Sequence, residues 1–165
     1  MKKIEKTRIR VLSKPNFNGL MEAYSFNDET VEKDEHYAFI SINDTVGDWK
    51  TSWFSKNHDN VLRMWFDDVS YDDEVSPTNK ESCKAFTEKD GKKIIKFVNK
   101  NKDRDFIIHC AAGISRSGAI GTFILDYLNG DQEFFYNENK NIIPSAHVSI
   151  ILNRLIWEER FKNLK

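Results

Sequence analysis

Cysteine is scarce in this sequence: Cys83 and Cys110 are the only two in 165 residues. That is too few to staple a chain of this length, which excludes a disulfide scaffold, fits a reducing compartment and leaves thiol chemistry available. Cys83, in the polar stretch NKESCKAF, reads as incidental rather than as a redox partner for Cys110. An excess of charge of one sign is also missing. Lys plus Arg number 25 against 26 for Asp plus Glu, a formal net charge of -1, so no global field exists to hold nucleic acid or an anionic membrane. Recognition must therefore be local. No apolar run approaches a membrane span, and the N-terminal MKKIEKTRIR is basic without the apolar stretch of a secretory signal, so a cytoplasmic protein with no membrane or nucleic-acid partner is expected. Internal repeats and low-complexity linkers are absent as well. Residues 1–165 are read as a single domain, expected to be a monomer, and 39% hydrophobic residues suffice for a core.

What is present begins with four β-branched and aromatic runs, RIRVLS, HYAFISI, VLRMWF and DFIIHC, each predicted to be a strand. Between the third and fourth, FTEKDGKKIIKFVNKN predicts a helix with Thr87 as N-cap, Asp90 in a partial capping box and Ile94, Ile95 and Val98 near one face, weakened by Gly91. Ile120, Phe123, Ile124, Tyr127 and Leu128 recur at helical spacing up to Asn129-Gly130. Val148, Ile151, Leu152, Leu155 and Ile156 repeat the pattern behind Pro144 and Ser145. Strands followed by helices predict an α/β fold, a central mixed sheet flanked by helices. Trp49 and Trp53, four apart, are expected to pack on a short helix.

The chemistry concentrates in HCAAGISRSG, residues 109 to 118, between the fourth strand and the helix after it. A tight turn from Ala111 to Ser115 with a helix N-terminus at Arg116 forms an anion cradle of backbone N–H groups. The same field favours thiolate over thiol at Cys110. Gly113 permits positive φ or close approach of a ligand, and Arg116 can pair two N–H groups with two phosphate oxygens, which lysine cannot. Ser117 can hydrogen-bond the sulfur. A buried cysteine before an ordinary helix is the bland alternative. His, Cys, Gly, Arg and Ser at five fixed places arise by chance roughly once in 10^5 chains at average residue frequencies, which favours function.

HCAAGISRSG resembles the signature of the cysteine-dependent protein tyrosine and dual-specificity phosphatases, in particular compact bacterial or viral members. The resemblance is strong at the signature and extends from about residue 36 to 157. It implies a phosphotyrosine protein phosphatase-like fold and hydrolysis of phosphate monoesters through a phosphocysteine, with no metal or other cofactor. Carried over, it makes Cys110 the nucleophile and Arg116 the phosphate clamp. Ala111, Ala112, Gly113, Ile114, Ser115 and Arg116 bind phosphate through their amides, Ser117 assists the second step, and His109 orients the loop.

The leaving oxygen needs an acid, which the family supplies as an aspartate on a loop. LRMWFDDVS offers Asp67 and Asp68 directly after a strand. A tryptophan-proline-aspartate alignment selects Asp67 but lacks its proline. The dual-specificity alignment selects Asp68, which is preferred. A divalent cation on Asp67, Asp68, Asp72, Asp73 and Glu74 is the rival use of these oxygens. Asp105 and Asp126 are expected at the surface, and His36 and His58 to be structural or solvated. The segment IIPSAHVSIIL falls where many family members place an asparagine supporting the loop, and His147 either takes that place or is a surface histidine at a helix start. The uncharged AAGIS favours a phosphotyrosine protein or peptide substrate, with phosphoserine and phosphothreonine behind it, over phosphoinositides or RNA 5′ ends. A phosphopeptide-binding module with weakened catalysis and a rhodanese-like sulfur transferase are the other classes considered.

Overall fold

The computed structural model describes residues 5–71 and 82–162. Among these residues four strands, β1 (Ile9–Ser13), β2 (Tyr37–Asn43), β3 (Val61–Trp65) and β4 (Asp105–Cys110), lie where the β-branched and aromatic runs predict them. They form one sheet in the order β1-β4-β2-β3. Every pairing is parallel: Ile9 lies opposite Phe106, Tyr37 opposite Asp105 and Phe39 opposite Val61. The α/β class with its helix-flanked sheet is as expected, but the expected mixed sheet is corrected to a parallel one. The reason is burial. β2 is buried from Ala38 to Asn43 and β4 from Phe106 to Cys110, so both sheet faces are covered, the condition under which parallel sheets occur.

Among the described residues five α-helices cover the sheet: α1 (Lys14–Ala23), α2 (Glu88–Lys100), α3 (Arg116–Tyr127), α4 (Gln132–Glu138) and α5 (Ala146–Lys162). At α2 the Thr87 hydroxyl accepts from Asp90 N–H while the Asp90 carboxylate accepts from Thr87 N–H, so the capping box is complete. Gly91 is explained by packing. A Cβ there would lie 2.5 Å from Leu155 Cδ1, so the glycine lets α2 and α5 approach. Helix α1 was not expected from its Asn- and Gly-containing sequence; Ser13 caps it by accepting from Asn16 N–H, and Pro15 occupies its first turn. Helix α4, capped by Asp131, was likewise unforeseen. The short helix expected at Trp49 and Trp53 is not formed: the segment runs through turns and bends, held by long-range bonds such as Trp53 Nε1 to the Phe26 carbonyl, 2.8 Å.

Side chains alternate across the sheet with period two. On one face Ile40, Ile42, Phe106 and Ile108 pack with Ile94, Val98, Ile120, Ile124 and Leu152 of α2, α3 and α5. On the other, Phe39 and Ile107 pack with Phe17 and Met21 of α1 and with Phe54. Each fully buried side chain of this kind contributes about 1.5–3 kcal/mol, so the sheet is a stiff platform. Because its strands are parallel, their carboxyl ends share one edge, where open α/β sheets place their ligand sites. That edge carries Lys14 after β1, Asp44 after β2, Phe66 to Asp68 after β3 and Cys110 at the end of β4. No described helix is long and apolar enough to cross a membrane.

Candidate active site

The chain leaves β4 at Cys110, turns through 111–115 and enters α3 at Arg116, as the sequence predicts. Gly113 has φ 71°, and a Cβ there would lie 2.5 Å from the backbone of Leu12 and Ser13, so only glycine fits where the loop presses on the β1–α1 junction. The loop's carbonyls are engaged from outside. Lys14 N–H donates to the Ala111 carbonyl at 3.1 Å, and Ile143 and Ser145 N–H groups donate to those of Ile114 and Ser115 at 3.0 Å. Ser115, the N-cap of α3, makes no side-chain capping bond, which leaves the helix's amide end open to an anion.

Cys110 is 2% exposed and sits at the floor of this loop. Its sulfur lies 2.9 Å from Ser117 Oγ. Burial pushes the thiol up, but hydrogen bonds from the Ser117 hydroxyl and N–H, the Arg116 charge and the Gly113 N–H together hold it below its ordinary value of 9.0. Arg116 is also buried. One of its terminal nitrogens donates to Asp44 Oδ1 at 2.7 Å and to the Phe66 carbonyl at 2.8 Å, which fixes the guanidinium plane and leaves its other N–H groups for a ligand. His109, fully buried on the opposite sheet face, packs against Phe17 with ring centroids 4.2 Å apart and the planes tilted by 35°. Burial drives its pKa down to about 3 against the raising effect of the Cys110 carbonyl, so the ring is neutral at working pH. Its Nδ1 lies 3.2 Å from that carbonyl, which can only accept, so Nδ1 carries the proton and Nε2 accepts from Ser41 Oγ at 2.6 Å.

Two adjacent aspartates have separate fates. Asp67 is buried, and its carboxylate accepts from Thr45 N–H at 3.0 Å, the Thr45 hydroxyl and Lys84 N–H at 2.8 Å, so it ties the β2 and β3 loops to the segment before α2. Asp68 is exposed, and its Oδ1 accepts from Ser115 Oγ in the signature loop at 3.1 Å. Of the two, Asp68 is the carboxylate bonded to the signature loop. Asp72, Asp73 and Glu74 of the rival cation set lie outside the described residues, and among the described residues no cluster of three or more His, Cys, Asp or Glu is placed to hold a metal.

His147 does not support the loop as an asparagine substitute; its Nε2 donates to the Phe86 carbonyl at 2.9 Å, and Ser145 N–H holds Ser115 instead. His36 pairs with Asp105 at 3.2 Å at the amino-terminal end of the sheet, and Cys83 is buried. The sequence reading missed Asp44, Lys14, Asn43 and Ser41. Their one shared signal is position, at or within two residues of a strand's carboxyl end.

No family model matches this sequence, and no curated protein is similar to it at a significant level. Among solved structures, it is similar to PTPMT1 in complex with PI(5)P, at a TM-score of 0.50 and 13% identity, covering 98% of this chain and 97% of that one. The fold is protein tyrosine phosphatase-like. The crystal structure of Tk-PTP in the active form is also similar, at a TM-score of 0.44 and 15% identity over 93% of this chain and 94% of that one.

Proposed function

We propose that this chain is a cysteine-dependent phosphatase acting on phosphotyrosine in proteins or peptides, with phosphoserine and phosphothreonine as further substrates. The observation that carries the reading is the convergence on one loop of a sulfur with a lowered pKa at the end of β4, a tethered guanidinium at the start of α3 and an exposed carboxylate after β3. The Cys110 thiolate attacks phosphorus while the ester P–O bond breaks, and Asp68 gives its proton to the departing oxygen. The loop amides from Ala111 to Arg116 and the Arg116 side chain hold the equatorial oxygens, where charge is carried through the transition state. Water then attacks the phosphocysteine, Asp68 takes its proton, and the S–P bond breaks with the Ser117 hydroxyl donating to the departing thiolate. No metal or cofactor takes part in these steps. The acting unit is the single domain 1–165, a monomer of the cytoplasm.

Hydrolysis of an aryl phosphate tests this reading: the native protein turns it over, and Cys110→Ser binds phosphate without turnover. Substantial turnover by Cys110→Ser defeats it. The PI(5)P bound to PTPMT1 makes a phosphoinositide the competing substrate. The uncharged AAGIS interior argues for the phosphopeptide, and kcat/KM for a phosphotyrosine peptide above that for PI(5)P is the expected result.

A further inference from the structure

Beneath the signature loop lies a hydrogen-bond chain that the reaction above does not use. It begins at Lys14, a lysine 5% exposed, whose Nζ donates to Asn43 Oδ1 at 3.1 Å. Asn43 Nδ2 faces Ser41 Oγ at 3.4 Å, the longest link, and also bonds the Ser41 and Met64 carbonyls at 3.3 Å. The Ser41 hydroxyl donates to His109 Nε2, and His109 Nδ1–H donates to the Cys110 carbonyl. Every donor in this sequence points the same way, from Lys14 toward the nucleophile. The polarity is forced at both ends, because a lysine amine is here a donor and a peptide carbonyl only an acceptor. Asn43, Ser41 and His109 are buried, so each bond replaces one that water would otherwise make.

Lys14 also reaches the other end of the loop. Its Nζ donates to the Trp49 carbonyl at 2.8 Å, the same oxygen that accepts from Asp44 N–H at 3.3 Å. Asp44 in turn holds Arg116 at 2.7 Å. With its own N–H on the Ala111 carbonyl, this one residue ties together the start of the loop and the guanidinium at its end. Burial lowers the Lys14 pKa, Asp44 counters and Arg116 adds to the lowering, which places all three charges within mutual reach. A buried lysine carries a large desolvation cost, and methionine would fill its volume without that cost.

We propose that Lys14 is a positioning residue for the phosphatase site, acting on Cys110 through Asn43, Ser41 and His109 and on Arg116 through the Trp49 carbonyl and Asp44. The inference rests on the assignment of Cys110 as nucleophile and Arg116 as clamp. When Lys14 is lost, the loop amides drift from the sulfur and the clamp from the phosphate, while the apolar core is left intact.

The test uses Lys14→Met and Ser41→Ala, singly and together, in the full chain, with three readouts: thermal unfolding, competition by inorganic phosphate, and the pH dependence of Cys110 alkylation by iodoacetamide. Alkylation needs neither substrate nor Asp68, so it reports on the site even if the chain hydrolyses no phosphate ester. Lys14→Met is expected to raise the alkylation midpoint by about half a pH unit or more and to weaken phosphate about tenfold, in a chain that still folds but unfolds at a lower temperature because Asn43 Oδ1 and the Trp49 carbonyl lose their donor. Ser41→Ala, a small change in a strand, cuts the chain midway and is expected to raise the midpoint less and to leave phosphate affinity closer to native. The double variant is expected to show less than the sum of the two midpoint shifts, because both cut one chain. A native midpoint and native phosphate affinity in folded Lys14→Met overturn the proposal. Additive shifts in the double variant, or a native midpoint in Ser41→Ala, overturn the chain through Ser41. Normal alkylation and phosphate binding by the native protein without ester hydrolysis would instead overturn the proposed activity and leave this inference standing.

Discussion

Two buried histidines in this fold sit in opposite surroundings. His109, under the signature loop, has a hydroxyl on one nitrogen and a peptide carbonyl near the other. His58, in the segment leading into β3, has a carboxylate on each: Nδ1 lies 2.9 Å from Glu32 and Nε2 2.8 Å from Asp28. The first arrangement needs one donor and one acceptor, which is a neutral imidazole. The second presents a carboxylate oxygen to each ring nitrogen. It straps the Asn27–Lys33 region to the approach to β3, and Asp28 also accepts from Ser55 N–H and Oγ–H. Burial works against the Asp28 carboxylate, but His58 and Ser55 bring its pKa down to about 2. The difference separates two kinds of buried polar group. One region spends its polar bonds on orienting a nucleophile, and the other on holding loops together.

Substitutions should therefore sort cleanly. Cys110→Ser should remove measurable aryl phosphate turnover with little change in unfolding temperature. Asp68→Ala should lower kcat by about 10² to 10³, and less for substrates whose leaving group is already acidic, as expected for loss of a general acid. Its neighbour should behave otherwise: Asp67→Ala strands the Thr45 and Lys84 N–H groups and should cost about 1–3 kcal/mol in denaturant unfolding. A larger fall in kcat for Asp67→Ala than for Asp68→Ala would reverse their roles. In the strap, His58→Ala should destabilise by about 2 kcal/mol, discounted because both carboxylates are partly solvated, while kcat per folded molecule stays native. A lowered kcat there would erase the contrast between the two regions.

The remaining effect is in pH. The folded pKa of His109, about 3, lies below its unfolded value of 6.5, so its contribution to stability is complete above 6.5 and is lost as pH falls toward 3. The slope is at most about 1.4 kcal/mol per pH unit. Denaturant unfolding at about pH 5 and about pH 7 should show the difference in the native protein and a smaller one in His109→Gln. The Asp28 contribution, present above 3.8 and lost toward 2, falls in a lower window.

The readable parts of the molecule were those whose signal is local. The four strands announce themselves by β-branched runs, α2 by its capping box, and Cys110, Arg116 and Ser117 by fixed spacing within one turn. The contact of Asp68 with the loop follows from its place after β3. What stayed hidden depends on partners far along the chain. Parallel pairing is a choice among registers that alternation alone does not make. Trp49 and Trp53 share helical spacing, yet bonds to Lys14 and Phe26 decide their backbone. Lys14 and Asp44 carry no signal until β1 and β2 are laid beside β4, and His147 could be read as a loop support or a surface group until its ring is found bonded to the Phe86 carbonyl.

The most direct test of the account is whether phosphate becomes bound to the Cys110 sulfur during turnover. Rapid acid quench of the native protein or of Asp68→Ala with an aryl phosphate, followed by mass spectrometry, should show one phosphoryl group on the peptide containing Cys110 and none in Cys110→Ser. Turnover proceeding with that peptide unmodified, or a phosphoryl group on another residue, would contradict it.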